Sequence, residues 1–430
     1  MESLLIQGGV RLTGRVTVSG AKNAALPAIA AALLTGGTVN LSCVPALDDI
    51  FTMCELLETV GVSVGWGPGC LTLDAGGANA KETSYELVRR MRASFLIAGP
   101  MLARFGFARM PMPGGCAIGS RPIDLHLKAF AAMGAEILVE SGCIQAKAPN
   151  GLKGAHIYFD YPSVGATENA MMAASLVKDT TILENVAREP EIVDLANLLT
   201  KMGAKVVGAG TGIIRIQGVD DLEGTNHTVI PDRIEAGTYM TAAAITKGDV
   251  ILENVVPEHL TAVIAKLREL GACVEAEEST IHVSCGTCPK AVDIKTMPYP
   301  GFPTDLQAQL MSLLSLADGM SIVTETVFEN RFMHVDELTR MGAKIKIDGR
   351  AAIVEGVDRL SGAPVTATDL RAGAALVVAG LAANGDTEVV NVEHIDRGYE
   401  YIEKKLGSLG ASIIRKSVSK ERETSAATAS

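Results

Sequence analysis

The 430-residue chain is 48% hydrophobic, 20% charged and only 4% aromatic, a composition too apolar for disorder and long enough for roughly three domains of ~150 residues. Its formal net charge of −11 and single Trp argue against a general polyanion binder and against base stacking as the main binding mode. Any anionic ligand must therefore meet a local cluster of cations.

At the N-terminus, MESLLIQGGVRL lacks a basic segment followed by an apolar stretch and a small-residue cleavage site, which points to the cytoplasm. Residues 1–20 contain the strand-like VRLTGRVTV and are expected to complete the last unit of the fold and tie the ends together. Next comes AALPAIAAALL, Ala24 to Leu34, the first of a class of helices that are small and apolar nearly all round. ENAMMAASLV, AGTYMTAAAI and LRAGAALVVAGLAA continue it. A helix without a polar face is buried. The longest apolar runs are 11 and 12 residues, well short of the ~18 a membrane span needs.

Each buried helix leads to a β-rich run, as in TTILENV, DVILENV, MSIVTETV and DTEVVNV, and then to an amphipathic helix. Ile192, Leu195, Leu199 and Met202 share one such helical face, and Leu260, Val263, Ile264, Leu267 and Leu270 another. A glycine ends each amphipathic helix and opens a further extended segment: Gly61, Gly134, Gly203, Gly271, Gly342 and Gly410, at intervals of 73, 69, 68, 71 and 68 residues. Glycine there supplies the left-handed cap. The unit reads strand, buried helix, strand, loop, amphipathic helix, strand, and six copies account for nearly the whole chain.

The fold class expected is α/β: two inside-out α/β domains, helices enclosed by sheets, each of three repeated units of about 70 residues. The boundaries expected are 22–229 for the first domain, 1–21 plus 230–416 for the second, and a disordered tail over 417–430.

Equivalent positions can then be compared within the one chain. The buried helices open on Lys22 with Asn23, Arg92, Ser163-Val164-Gly165, Arg233, Asp305 and Arg371, and the loops before the amphipathic helices carry Arg121, Arg188, Arg331 and Arg397. Helix N-termini attract anions, so Lys22, Arg92, Arg121, Arg331, Arg371 and Arg397 are expected to converge on a cleft suited to phosphate and carboxylate. Singly, any of these cations could as well pair with a neighbouring acid. PGGCAIGSRP, residues 113–122, is a glycine-dense loop in which Cys116 lies near cations that favour its thiolate; the same glycines would also suit a simple phosphate loop. Cys43, Cys54, Cys143 and Cys273 read as buried small hydrophobes. Asp305 is either a helix cap or a general base for a substrate hydroxyl. The histidines lack metal spacing and Cys285–Cys288 lacks a second ligand pair, so no metal is expected.

These residues resemble the UDP-N-acetylglucosamine 1-carboxyvinyltransferase family of enolpyruvyl transferases, from about Leu4 to Ile414. The segments that carry the likeness are SGAKNAALP, MRAS, PGGCAIGSRPIDLH, SVGATEN, AREPEIVD, FPTDLQAQ, TETVFENRFMHV, ATDLRA and HIDRGYE. The resemblance implies transfer of the enolpyruvyl group of phosphoenolpyruvate to the sugar 3-hydroxyl by addition and elimination, opening peptidoglycan precursor synthesis, with no cofactor and with only these small molecules as partners. It implies that Lys22, Arg121 and Arg397 hold the phosphate of phosphoenolpyruvate and Arg331 with Arg371 its carboxylate. Asn23, Arg92, Arg121, Pro122, Ile123, Asp124, Leu125, His126, Ser163, Val164, Gly165, Asp305 and Val327 would face the nucleotide. Cys116 would be the proton donor, able to form a phospholactoyl thioether and to be alkylated by fosfomycin, and Asp305 would take the hydroxyl proton. Tyr161-Pro162 departs from the family, some members of which have Lys at the first position. A shikimate-3-phosphate transferase, which lacks this Cys loop, and a catalytically silent sugar-nucleotide-binding paralogue are the alternatives.

Overall fold

The computed structural model describes residues 2–67, 69–79, 83–112 and 123–417. The chain begins with β1 (Glu2–Gln7) and β2 (Thr13–Thr17). The first repeat follows as α1 (Lys22–Ala31), β3 (Thr38–Ser42), α2 (Asp48–Thr59), β4 (Ser63–Gly67) and β5 (Cys70–Asp74). The second has α3 (Tyr85–Arg90), a 3₁₀ segment Arg92–Ile97, α4 (Ala98–Phe105), β6 (Phe107–Pro111), α5 (Asp124–Ala132), β7 (Glu136–Glu140) and β8 (Cys143–Lys147). The third has β9 (His156–Tyr158), α6 (Val164–Ala174), β10 (Thr180–Glu184), α7 (Pro190–Lys201), β11 (Lys205–Val207) and β12 (Ile213–Gln217).

The fourth comprises β13 (Asn226–Thr228), α8 (Arg233–Ile245), β14 (Asp249–Glu253), α9 (Thr261–Glu269), β15 (Cys273–Ala276) and β16 (Thr280–Ser284). The fifth comprises β17 (Ile294–Lys295), a 3₁₀ turn Thr304–Leu306, α10 (Gln307–Leu314), β18 (Met320–Thr324), α11 (Val335–Arg340), β19 (Lys344–Asp348) and β20 (Ala351–Glu355). The sixth ends the described chain with β21 (Pro364–Thr366), α12 (Leu370–Ala382), β22 (Asp386–Val390), α13 (Glu393–Asp396), α14 (Ile402–Ser408) and β23 (Ser412–Ser417).

Two compact units result, one of Val18–Arg233 with Met297–Pro303, the other of Met1–Thr17, Ile234–Thr296 and Thr304–Ser430. Each contains three sheets among the described residues. The small apolar helices are buried on all sides: within the first unit α4 packs on α6 and α1 on both α2 and α7, and within the second α10 packs on α12. Leu26, Ile29, Met171, Met172, Leu195 and Leu199 share one core with the inward residues of the three sheets. The glycines that end the amphipathic helices all have positive φ, between 93° and 119°.

Three details differ from the sequence expectation. In the first five repeats the strand after the amphipathic helix is a pair: β4–β5, β7–β8, β11–β12, β15–β16 and β19–β20 are antiparallel hairpins, because the extended run after the glycine turns back and pairs with itself. Residues 1–20 divide: β1 completes the last unit and ties the ends together as expected, but residues 10–18 do not. Their strand β2 lies parallel to β14 in the fourth, while β1 enters the sixth sheet between β22 and β23, antiparallel to both. Ser417, placed in the expected tail, closes β23 opposite Glu2; residues 418–430 lie outside the described residues. The first strands of two repeats are exchanged, β2 preceding α1 but joining β14, and β13 preceding α8 but joining β3.

Candidate functional site

In the unit of repeats one to three, Lys22 is the first residue of α1 and only 8% exposed. A lysine so placed needs a counter-charge, and Asp49 in the first turn of α2 supplies it, Nζ to Oδ2 3.0 Å. Asn23 follows Lys22 and is half-buried. Arg92 opens the 3₁₀ segment, and Ser163 caps α6, its hydroxyl accepting from the Ala166 amide at 3.4 Å. Val164 and Gly165 form the first turn of α6. Ile123 is buried, Asp124 exposed, and Leu125 half-buried at the start of α5.

His126, one residue on, is buried and held edge-on to Phe95, ring centroids 5.2 Å apart. Its Nδ1 lies 2.9 Å from Asn169 Nδ2. Burial, with the Arg92 charge adding to it, lowers the pKa of the ring to about 3. The structure thus brings His126, Gly165, Arg92 and Phe95 together; a Cβ on Gly165 would stand 3.2 Å from His126 Cε1.

The unit of repeats four to six contributes a second constellation. Asp305, on the turn before α10, accepts at Oδ1 from Arg331 Nη2 (2.7 Å) and at Oδ2 from Arg371 Nη2 (3.0 Å). The guanidinium side chains are only 3% and 5% exposed, the carboxylate 27%. Leu306, with no side-chain cap bond, stands at the N-cap of α10. The Asp305 charge is held for more than a helix end. Arg331 lies over the Phe328 ring at 5.6 Å and Arg371 over Tyr399 at 5.5 Å. Arg397 follows α13 and is half-buried.

Glu325 shapes the loop that carries Val327 toward Arg331. Its Oε1 accepts from Thr296 Oγ1, Val327 N and Phe328 N, at 2.7, 2.7 and 3.2 Å, and its Oε2 from Thr304 Oγ1 at 2.9 Å. It therefore ties that loop to the residue preceding Asp305.

Cys116, Arg121 and Pro122, and the 113–122 loop that holds them, lie outside the described residues. Three of the cations expected to crowd one another have an acidic partner inside their own unit, Lys22 pairing with Asp49 and Arg331 with Arg371 sharing Asp305. Arg233 likewise pairs with Glu191 at 3.0 Å. The buried-cysteine reading holds for Cys54 and fails elsewhere: Cys43 is exposed at a left-handed turn, Cys273 is exposed where β15 begins, and Cys143 is intermediate. Asp49, Asn169 and Glu325 were missed by the sequence reading. Acids opening α2 look like ordinary dipole complements, and a polar residue inside a buried helix announces only that it has some partner. Among the described residues no helix is long and apolar enough to cross a membrane, and no group of three His, Cys, Asp or Glu side chains is disposed to hold a metal.

The fold is that of the enolpyruvyl transferases. The solved enolpyruvyl transferase NikO from Streptomyces tendae superposes with a TM-score of 0.86 at 25% identity, over 97% of this chain and 99% of that one. EPSP synthase from Acinetobacter baumannii gives 0.77 at 21% identity, over 97% and 100%. The family model of EPSP synthase (3-phosphoshikimate 1-carboxyvinyltransferase) matches residues 6–406. UDP-N-acetylglucosamine 1-carboxyvinyltransferase 2 of Carboxydothermus hydrogenoformans is 62% identical, over 96% of this chain and 99% of its own. UDP-N-acetylglucosamine 1-carboxyvinyltransferase 1 of Halalkalibacterium halodurans is 58% identical, over 96% and 94%. The UDP-N-acetylglucosamine 1-carboxyvinyltransferase of Halothermothrix orenii is 57% identical, over 96% and 99%. The chain belongs to the UDP-N-acetylglucosamine 1-carboxyvinyltransferase family.

Proposed function

We propose that this enzyme transfers the enolpyruvyl group of phosphoenolpyruvate to the 3-hydroxyl of UDP-N-acetylglucosamine, releasing phosphate, as the first committed step of peptidoglycan precursor synthesis in the cytoplasm. The observation that carries the reading at the site is the Asp305 carboxylate held between two buried guanidinium groups. Arg331 and Arg371 are proposed to bind the carboxylate of phosphoenolpyruvate, and Lys22, Arg121 and Arg397 its phosphate. In the addition step Asp305 takes the proton of the sugar hydroxyl as that oxygen bonds to C2, and Cys116 delivers a proton to the methylene carbon. A proton then passes from the new methyl group to the Cys116 thiolate as the C2–O bond to phosphate breaks, and the leaving phosphate takes the proton held by Asp305, restoring both groups. Fixed cations around the tetrahedral intermediate stabilise charge that develops during reaction.

Asn23, Arg92, Ile123 to His126, Ser163 to Gly165, Asp305, Val327 and, outside the described residues, Arg121 and Pro122 are proposed to hold the sugar nucleotide, Tyr161 altering that contact relative to members with Lys. The two small molecules are the proposed partners. A phosphate-release assay with phosphoenolpyruvate tests the reading: release is expected with UDP-N-acetylglucosamine and not with shikimate 3-phosphate. Peptide mapping after fosfomycin should find the adduct on Cys116; an adduct elsewhere, with Cys116 intact, contradicts its role.

A further inference from the structure

We propose that Asn169 fixes His126 as the neutral tautomer with Nδ1 bare and Nε2 protonated, making His126 a pH-insensitive hydrogen-bond donor to an uncharged acceptor, a carbonyl or hydroxyl, of the nucleotide substrate. The choice of ligand rests on the function proposed above; the tautomer does not. Asn169 is fully buried on α6, and its carboxamide makes three contacts. Oδ1 accepts from the Gly99 amide at 2.8 Å, and Nδ2 donates to the Phe95 carbonyl at 2.9 Å. A backbone N–H can only donate and a carbonyl can only accept, so neither contact can be reversed and the amide has one orientation. The second N–H of the same nitrogen therefore points at His126 Nδ1, 2.9 Å away, which must be a bare acceptor. A neutral ring then carries its proton on Nε2.

The packing holds this geometry from both sides. A Cβ on Gly99 would stand 2.5 Å from the Asn169 carbonyl oxygen and 2.6 Å from its Oδ1, so glycine is what lets α4 come this close. His126 lies against Gly165 in the first turn of the 11-residue helix α6, where a Cβ would be 3.4 Å from Nε2. Nε2 has no hydrogen-bond partner among the described residues, although the residue is only 8% exposed. It is left facing the end of α6 that is proposed to meet the nucleotide.

The charges around the ring agree. Arg92, on the 3₁₀ segment, opposes protonation, as does burial. On α6, Glu168 precedes Asn169, and burial raises its pKa well above the ordinary carboxylate range. On α5, Asp124 is exposed and Lys128 bonds outward to Asp160 at 2.7 Å.

Histidine-labelled protein, without substrate, gives the first test. Nitrogen chemical shifts should show His126 with bare Nδ1 and protonated Nε2, unchanged from about pH 6 to about 8.5; the opposite tautomer, or titration in that range, overturns the proposal. Asn169→Asp replaces the donor with an acceptor and should reverse the ring to Nδ1–H. Its Nε2–H returns only when the ring is protonated. The KM for UDP-N-acetylglucosamine should then be near wild type at low pH and rise roughly tenfold as pH passes the new His126 pKa, with kcat changing less. A flat KM profile in a variant whose spectrum shows the reversed ring overturns the donor role.

If Asn169→Asp does not fold, His126→Gln, which offers an amide N–H near the place of Nε2–H, should recover most of the KM lost in His126→Phe. Equal KM values for the two overturn the donor role. Absence of phosphate release from wild-type enzyme would instead count against the function, and leave the spectroscopic result intact.

Discussion

At Asp305, one carboxylate bonds two guanidinium groups that have little access to water, and one positive charge is left over. Asp305→Asn keeps an acceptor but removes the charge, and should cost about 2 kcal/mol of stability, below the ~3–5 of a fully buried pair because this side chain is partly exposed. Turnover should fall by roughly 100- to 10,000-fold, the contribution of a general base, with nucleotide affinity largely kept. Melting temperature, nucleotide affinity and phosphate release on one preparation decide it, and near-normal turnover would remove Asp305 from the proton transfer. His334 gives a pH test. Burial, outweighing the favourable Asp369 charge, lowers its pKa from 6.5 to about 4, as burial lowers that of His126 to about 3. Between those values and 6.5 the unfolded chain binds more protons than the folded one, so this part of the stability is complete above about pH 6.5 and is lost as pH falls. His334→Leu should lose less stability than wild type between about pH 7 and about pH 5, measured by denaturant midpoints; equal slopes would contradict the assignment.

The repeating elements were the most legible part of the sequence, because a buried helix must be apolar all round and a left-handed cap must be glycine. Gly203 isolates the second demand: φ is 119° and a Cβ there would meet nothing within 4 Å. Gly203→Ala should therefore destabilise by about 1 kcal/mol through backbone strain alone, and an unchanged melting curve would be evidence against that account. The hairpins were not legible, since a short strand and its return stroke carry the same pattern as one longer run. Nor was the pairing of Lys22 with Asp49 or of Asp305 with two arginines: positions 26 to 66 residues apart meet only through packing. Helix α6 holds a further consequence of burial. Glu168 has its pKa raised well above the usual range by burial first and by Glu191 and Glu189 next. The unfolded carboxyl ionises near 4.5 and the folded one only at higher pH, so stability falls as pH rises above 4.5. Glu168→Gln, uncharged at every pH, should raise stability at neutral pH and flatten the alkaline side of the profile; a variant less stable than wild type at neutral pH would mean the carboxyl makes a contact that Gln cannot.

Across the whole molecule, β1 is made long before its partners yet becomes an inner strand of the sheet they close. β1 is bonded through Ser3–Gln7 to β22 and through Glu2–Gln7 to β23. Its apolar residues Leu4 and Ile6 are fully buried in the finished fold. At ~5–20 residues per second, the partners follow roughly 20–80 s behind it, and for that interval the segment is an unpaired, sticky edge. The repeats of the first unit have no such wait for their own hairpins, so vectorial synthesis should leave an early folded half carrying an adhesive leader, a natural client for a holding chaperone. Rearranging the gene tests this. A circular permutant that runs β23 through a short turn into β1 and opens the chain at Gly9, where φ is 84° and a Cβ would meet nothing, turns a pairing across nearly the full sequence into a local hairpin. Such a permutant should keep wild-type turnover and refold faster, with less aggregate at equal concentration; refolding no faster than wild type would mean that something other than the long-delayed closure of this sheet limits assembly.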